Sequence, residues 1–323
     1  MTRSSVAFRA AICCLVLVAG CEDPFTPKGL YSDKLVVYGI LTNRSDTQYV
    51  RVYSTYNPPG VTPLGQTADI VPRGANVAVK GEAGSFQFQE KTTPRVDKSR
   101  YSDDLLVYAS YPFSLEAGKT YSLNVSTREM GAVSAAVTVP RRGRIQFLNS
   151  YILNGGGSGD ENIVIYGWIR ELTYGVMMRL YLIYDVLEGN TWIKRQEEIP
   201  FVDSPNNDGS KVDFYPVLRR RQTSGIIPGK EQNETFVFIK TTYFDKLGAI
   251  LSRYPVGGVH MKRALVVLTQ VDEDLYAYSK RVNGFEDPFS IRTDLPDYSN
   301  ISGGHGIFGA LVEDSVFVEL TAW

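Results

Sequence analysis

The residues able to do chemistry are few and scattered. The chain has two histidines, His260 and His305, far apart in sequence, and no HExxH pair. A zinc site would therefore rest mostly on carboxylates. The segment "DSPNNDGSKVD" sets oxygen ligands close together, with Asp203, Asn207, Asp208 and Asp213 as calcium candidates. Calcium takes six to eight oxygens, but the EF-hand order is absent and Asn-Asp-Gly is also plain turn chemistry. "NGGGSGD" at 154–160 lacks the Lys-Ser/Thr ending of a phosphate-cradling loop and the spacing of a nucleophile elbow. No pair of carboxylates stands out for glycoside hydrolysis. Aromatic residues are the better clue. Tyr101, Tyr108, Tyr111 and Phe113 crowd one short segment, and aromatic faces bind glycans, peptides and partner proteins alike. That reading competes with simple packing in a core. The expectation is a binding protein, without a catalytic residue or a cofactor.

Cys21 is the exception, because its neighbours give its thiol a definite chemistry. Arg3 and Arg9 precede a short run of apolar and small residues, and Val18-Ala19-Gly20-Cys21 follows. The run is too short to span a bilayer. It resembles the lipobox of bacterial lipoproteins, in which the thiol is acylated and the signal is cut before the cysteine. Each buried CH₂ of such an anchor adds about 0.8 kcal/mol. Cys13 and Cys14 would leave with the signal, so no disulfide is expected. Glu22 and Asp23 then resemble an export signal to the outer face of the outer membrane, as in Bacteroidetes-type lipoproteins. Pro24, Pro27 and Gly29 make a spacer. Removing Arg3 and Arg9 lowers the formal net charge from −1 to −3, which gives no footprint for nucleic acid.

The elements that follow read as β throughout. The spacing predicts a signal peptide over 1–20, a tether over 21–33, an immunoglobulin-like β-sandwich over 34–140 and a larger antiparallel β domain over 141–323. "KLVVYGILTN" is apolar on both faces. "TQYVRVYSTYN" alternates, with Val50 and Val52 on one face and Tyr49, Arg51 and Tyr53 on the other. "GANVAVKGEAGSFQFQEK" reads as a hairpin. Leu115, Gly118 and Tyr121 have the spacing of a tyrosine corner. "PRRGR" at 140–144 reads as a solvated hinge. The second region offers eight strand candidates and two short helices, over 245–253 and 272–282. Asp272 caps the second helix, whose Leu275, Tyr278 and Val282 share a face. "SGGHGIFGAL" reads as a glycine-shaped turn before core residues Ile307 and Phe308.

The closing stretches "VDEDLYAYSKRVNGFEDPFS" and "YSNISGGHGIFGALVEDSVFVEL" resemble the C-terminal signature of the Bacteroidetes outer-membrane lipoprotein family of unknown function 4249. The lipobox, the early strand and the "GANV" hairpin have counterparts there in order. The resemblance implies a lipid-anchored protein of the outer membrane, facing the cell exterior, with a TonB-dependent transporter as partner. A non-catalytic accessory of nutrient uptake is the expected function. A structural or adhesive envelope protein is the alternative, and a hydrolase the third reading.

Overall fold

The computed structural model describes residues 31–56, 70–95, 98, 103–159, 161–205, 211–222, 229–282 and 298–321. The described residues from Lys34 onward form one compact unit. In chain order the strands of the first region are β1 (Leu35–Thr42), β2 (Gln48–Ser54), β3 (Asn76–Gly81), β4 (Gly84–Thr93), β5 (Leu105–Ser110), β6 (Thr120–Thr127) and β7 (Gly131–Thr138). Then come β8 (Arg144–Phe147), β9 (Ile163–Ile169), β10 (Gly175–Glu188), β11 (Thr191–Ile199), β12 (Val202–Pro205), β13 (Lys211–Phe214), β14 (Arg219–Arg220) and β15 (Gln232–Phe238). Helix α1 (Lys240–Ser252), β16 (Val259–Val271), helix α2 (Glu273–Val282) and β17 (His305–Glu319) complete the chain. The protein is mostly β, a mixed sandwich with two helices and no closed barrel among the described residues.

One long sheet carries both regions, in the order β11-β10-β16-β17-β1-β2-β5-β4-β3-β6-β7, with β14 paired to β10. It folds over at β4, whose first half pairs with β3 and whose second half pairs with β5. The fold-over encloses a first core, in which Val37, Val50 and Val52 meet Val77, Leu123, Val125 and Val137. These are the inward positions of alternating strands. The tyrosine corner forms as its spacing requires: the Glu116 N–H donates to Tyr121 Oη at 3.0 Å. The hairpin pairs Val77 with Phe88 and Val79 with Phe86.

A second core lies between β10, β16 and the separate sheet β15-β9-β8. Helix α1 closes it with Tyr243, Leu247 and Ile250, all buried at helical spacing. The helix starts at Lys240, five residues before the start read from the sequence, because Tyr243 belongs to this buried stripe. Its hydroxyl donates to the Leu153 carbonyl at 3.1 Å.

Strand β17 joins the two halves. Its first part runs parallel to β1, from Val36 opposite His305 to Thr42 opposite Leu311. Its second part runs antiparallel to β16, from Val271 opposite Leu311 to Arg263 opposite Glu319. Phe308, Ala310 and Val312 thereby enter the first core, and Val316 and Val318 pack on the second. Of the glycines of "GGHGIFG", Gly303 and Gly304 form the expected turn, and Gly306 and Gly309 lie in β17. Gly306 has φ 113°, and a Cβ there would overlap the Val37 carbonyl. At Gly309 a Cβ would sit 2.8 Å from Leu275 Cβ, so α2 lies directly on this strand. The 140–144 linker is pinned rather than a free hinge. Arg141 pairs with Glu171 at 2.6 Å, Arg142 with Asp314 at 2.7 Å and Arg144 with Glu231 at 2.9 Å.

Candidate functional site

The outward positions of β1 and β2 carry an aromatic face. Alternation sends Val37 and Leu41 inward and leaves Tyr38 and Ile40 outside. On β2 it sends Val50 and Val52 inward and Tyr49, Arg51 and Tyr53 outward. The antiparallel register sets Tyr38 opposite Arg51 and Val36 opposite Tyr53. Tyr38 and Tyr53 meet edge-on with ring centroids 6.3 Å apart, and the Arg51 guanidinium lies 4.6 Å from the Tyr53 ring centroid. Helix α2 adds Tyr278, edge-on to Tyr38 at 6.3 Å. Tyr38, Ile40 and Tyr49 are 36%, 43% and 46% exposed. Such a face offers ring edges, a cation held by a ring and apolar area, a combination suited to polar-apolar partners.

The position of Tyr278 depends on how α2 is held. Asp272 accepts from the N–H groups of Asp274 at 3.0 Å and Leu275 at 3.4 Å, as the cap read from the sequence. Its other oxygen accepts from the Ala310 N–H of β17 at 2.7 Å. Burial pushes this carboxyl up to about 6, against the three N–H donors that lower it, with Asp274 nearby adding to the rise. Asn300 joins the same corner, donating to Asp274 at 2.9 Å and bonding both main-chain groups of Phe308. Tyr298 donates to Asp274 and is raised by burial.

The residues singled out by the sequence go to different places. Tyr108 is 1% exposed, and its hydroxyl accepts from the Ala75 N–H at 3.0 Å. Phe113 is 0% exposed and stacks on Phe86 at 3.9 Å. Both are core residues and cannot form a surface. They face inward for ordinary reasons: Leu106, Tyr108 and Ser110 share the buried side of β5, and Phe113 fills the space under the tyrosine corner. Tyr111 is exposed at 76%, and Tyr101 lies outside the described residues, as do Cys21, Glu22 and Asp23.

Of the calcium candidates, Asn207 and Asp208 lie outside the described residues. Asp203 sits opposite Asp213 across the β12–β13 pair. The Asp213 carboxylate faces a cation already, Lys246 Nζ at 3.4 Å. Lys246 also reaches Glu197, which accepts two bonds from Arg253 at 2.9 Å and one from Tyr184 Oη at 3.2 Å. The Arg253 bonds hold Glu197 below the usual carboxylate range, and burial pushes Tyr184 up to about 12. This network neutralises its own charges. Among the described residues no group of three or more His, Cys, Asp or Glu side chains is placed to share a metal ion. His260 stacks on Trp192 at 4.2 Å, and His305 is exposed at the start of β17.

The aromatic face was only half visible in the sequence. Alternation placed Tyr49, Arg51 and Tyr53 on one side of a strand, and helical spacing placed Tyr278 beside Leu275. Bringing them to Tyr38 required the β1–β2 register and the seat of α2 on β17, neither of which is local.

A family model described as Domain of unknown function (DUF4249) matches residues 22–316. The match covers most of the chain, which therefore belongs to this family. No curated protein matches the chain.

Proposed function

We propose that this member of the DUF4249 family is a lipid-anchored lipoprotein of the outer membrane of a Bacteroidetes-type bacterium, facing the cell exterior. Acylation of Cys21 anchors it, Glu22 and Asp23 direct it outward, and residues 21–33 tether the folded unit. It acts by binding rather than catalysis, as an accessory of a TonB-dependent nutrient transporter, and needs no cofactor beyond its lipid. The observation that carries the binding role is the aromatic face on β1 and β2, where exposed Tyr38 and Tyr49 are joined by half-buried Arg51, Tyr53 and Tyr278 in one set of ring and cation contacts. A structural or adhesive envelope role is the second reading. The ion-paired linker favours it, since a pinned 140–144 segment makes a stiff spacer.

The test is purification of the tagged chain from native membranes, with co-purifying proteins identified by mass spectrometry beside a Cys21→Ala control. Recovery of a transporter with the wild type, and its loss with the unanchored variant, supports the accessory role. Recovery of the wild type alone moves the assignment to the envelope role.

A further inference from the structure

The outer face of the β15-β9-β8 sheet carries a second, separate site. Alternation sends Ile163, Ile165 and Ile169 of β9 into the second core. Between them Tyr166 and Trp168 face outward, half-buried. The register sets Trp168 between Asn233 of β15 and Arg144 of β8, and Tyr166 between Thr235 and Gln146. All four neighbours are exposed. Two rings thus stand on one face of the central strand, roughly 6–7 Å apart along it. Each is flanked on both sides by side chains that form hydrogen bonds.

The Trp168 ring is fixed by its neighbours. Its Nε1–H donates to Gln146 Oε1 at 2.8 Å, and the Arg144 guanidinium lies 4.6 Å from the ring centroid. The charge beside it is positive. Glu231, just before β15, accepts from Arg144 Nε at 2.9 Å and from Arg170 Nε and Nη2 at 3.2 and 2.9 Å. Those bonds hold Glu231 below the usual carboxylate range. One carboxylate therefore answers two guanidiniums, each about half exposed. Arg144 uses only its Nε–H on Glu231, which leaves its Nη1 and Nη2 groups as donors, and Arg170 keeps its Nη1 group.

We propose that this face binds an acidic glycan, a chain of uronic-acid sugars reaching it from solution. The C–H face of a sugar ring lies on Tyr166 and Trp168. Gln146, Asn233 and Thr235 exchange hydrogen bonds with the sugar hydroxyls, and a sugar carboxylate meets the remaining donors of Arg144 and Arg170. A neutral glycan leaves the surplus cation unanswered. An apolar partner would bury amides and guanidiniums without hydrogen bonds. The face is on a different sheet from Tyr38 and Tyr49, so its failure and the failure of the proposed function are distinguishable.

Calorimetric titration of the full chain with hexagalacturonate, hexamannuronate and a hyaluronan hexasaccharide tests it, beside the methyl ester of each. The ester keeps the sugar rings and removes the charge. The wild type is expected to bind at least one acid with a Kd below ~1 mM, and at least about tenfold more tightly than its ester. Arg144→Gln should erase that preference, and Tyr166→Thr, which keeps a strand-forming residue, should weaken binding of the acid about tenfold. Thermal melting of both variants checks that they are folded, and the comparison of acid with ester on the wild type needs neither. No binding of any acid up to ~1 mM, equal binding of acid and ester, or a folded variant that binds as the wild type does overturns the proposal.

Discussion

Replacing Asp272 tests how the end of the molecule that carries Tyr278 is held. The side chain is 5% exposed and serves three donors: two from the first turn of α2 and one from Ala310 in β17. Asp272→Ala removes a helix cap, at about 1 kcal/mol, and leaves a buried N–H on Ala310 without its acceptor, at about 1–3 kcal/mol. The expected loss is about 2–4 kcal/mol, out of a total of roughly 5–15 kcal/mol for a folded protein. Ionisation adds a second signature. The carboxyl is raised from 3.8 to about 6, chiefly by burial. Between those values the folded state binds more protons than the unfolded state. Stability from this group is therefore fully present below pH ~4 and falls as pH rises to ~6, by about 3 kcal/mol. Asp272→Asn cannot ionise. Its offset from wild type includes a lost acceptor, but that part does not vary with pH. Urea unfolding followed by tryptophan fluorescence, run on both proteins from pH 4 to 7, isolates the slope. The wild type should lose about 3 kcal/mol relative to Asp272→Asn across that window. A difference that stays flat with pH, or an Asp272→Ala cost under about 0.5 kcal/mol, would refute the reasoning.

Two further substitutions probe the frame around the aromatic face. Gly306→Ala should cost at least about 2 kcal/mol, combining strain at φ 113° with overlap on the Val37 carbonyl; thermal melting checks it, and a melting temperature equal to wild type counts against the parallel β1–β17 contact. Tyr121→Phe should cost about 1 kcal/mol, because it deletes the acceptor of the Glu116 N–H while keeping the ring; a neutral result in urea unfolding would mean that the corner is held by packing alone.

Local pattern made much of the first sandwich legible. Val50 and Val52 alternate with Tyr49, Arg51 and Tyr53, and the tyrosine corner has a fixed spacing, so these elements declare themselves within ten residues. The errors came where a residue's role depends on distant chain. Tyr108 and Phe113 read as a surface because aromatic residues cluster there, yet Tyr108 sits on the inward phase of β5 and ties its hydroxyl to Ala75. The start of α1 was hidden because "ETFVFIKTTY" has strand-forming residues on both sides of the boundary at Ile239. The glycines before Ile307 read as a turn, which Gly303 and Gly304 form. The strand positions Gly306 and Gly309 have a further cause, since β17 has β1 on one side and α2 on one face, leaving no room for side chains there. A tertiary contact of this kind leaves glycine in the sequence without saying why. The linker arginines read as a solvated hinge for the same reason, since their partners Glu171, Glu231 and Asp314 lie far along the chain.

The central claim is that the aromatic face is where this protein meets its partner. Its most direct test is a photo-crosslinking amino acid placed at Tyr49, which is 46% exposed on that face, and, as a control, at Val256, which is fully exposed elsewhere. Irradiation in living cells followed by mass spectrometry should give a crosslink to an outer-membrane transporter from position 49 and none from position 256. Absence of a crosslink at 49, or equal crosslinking from both positions, would contradict the account.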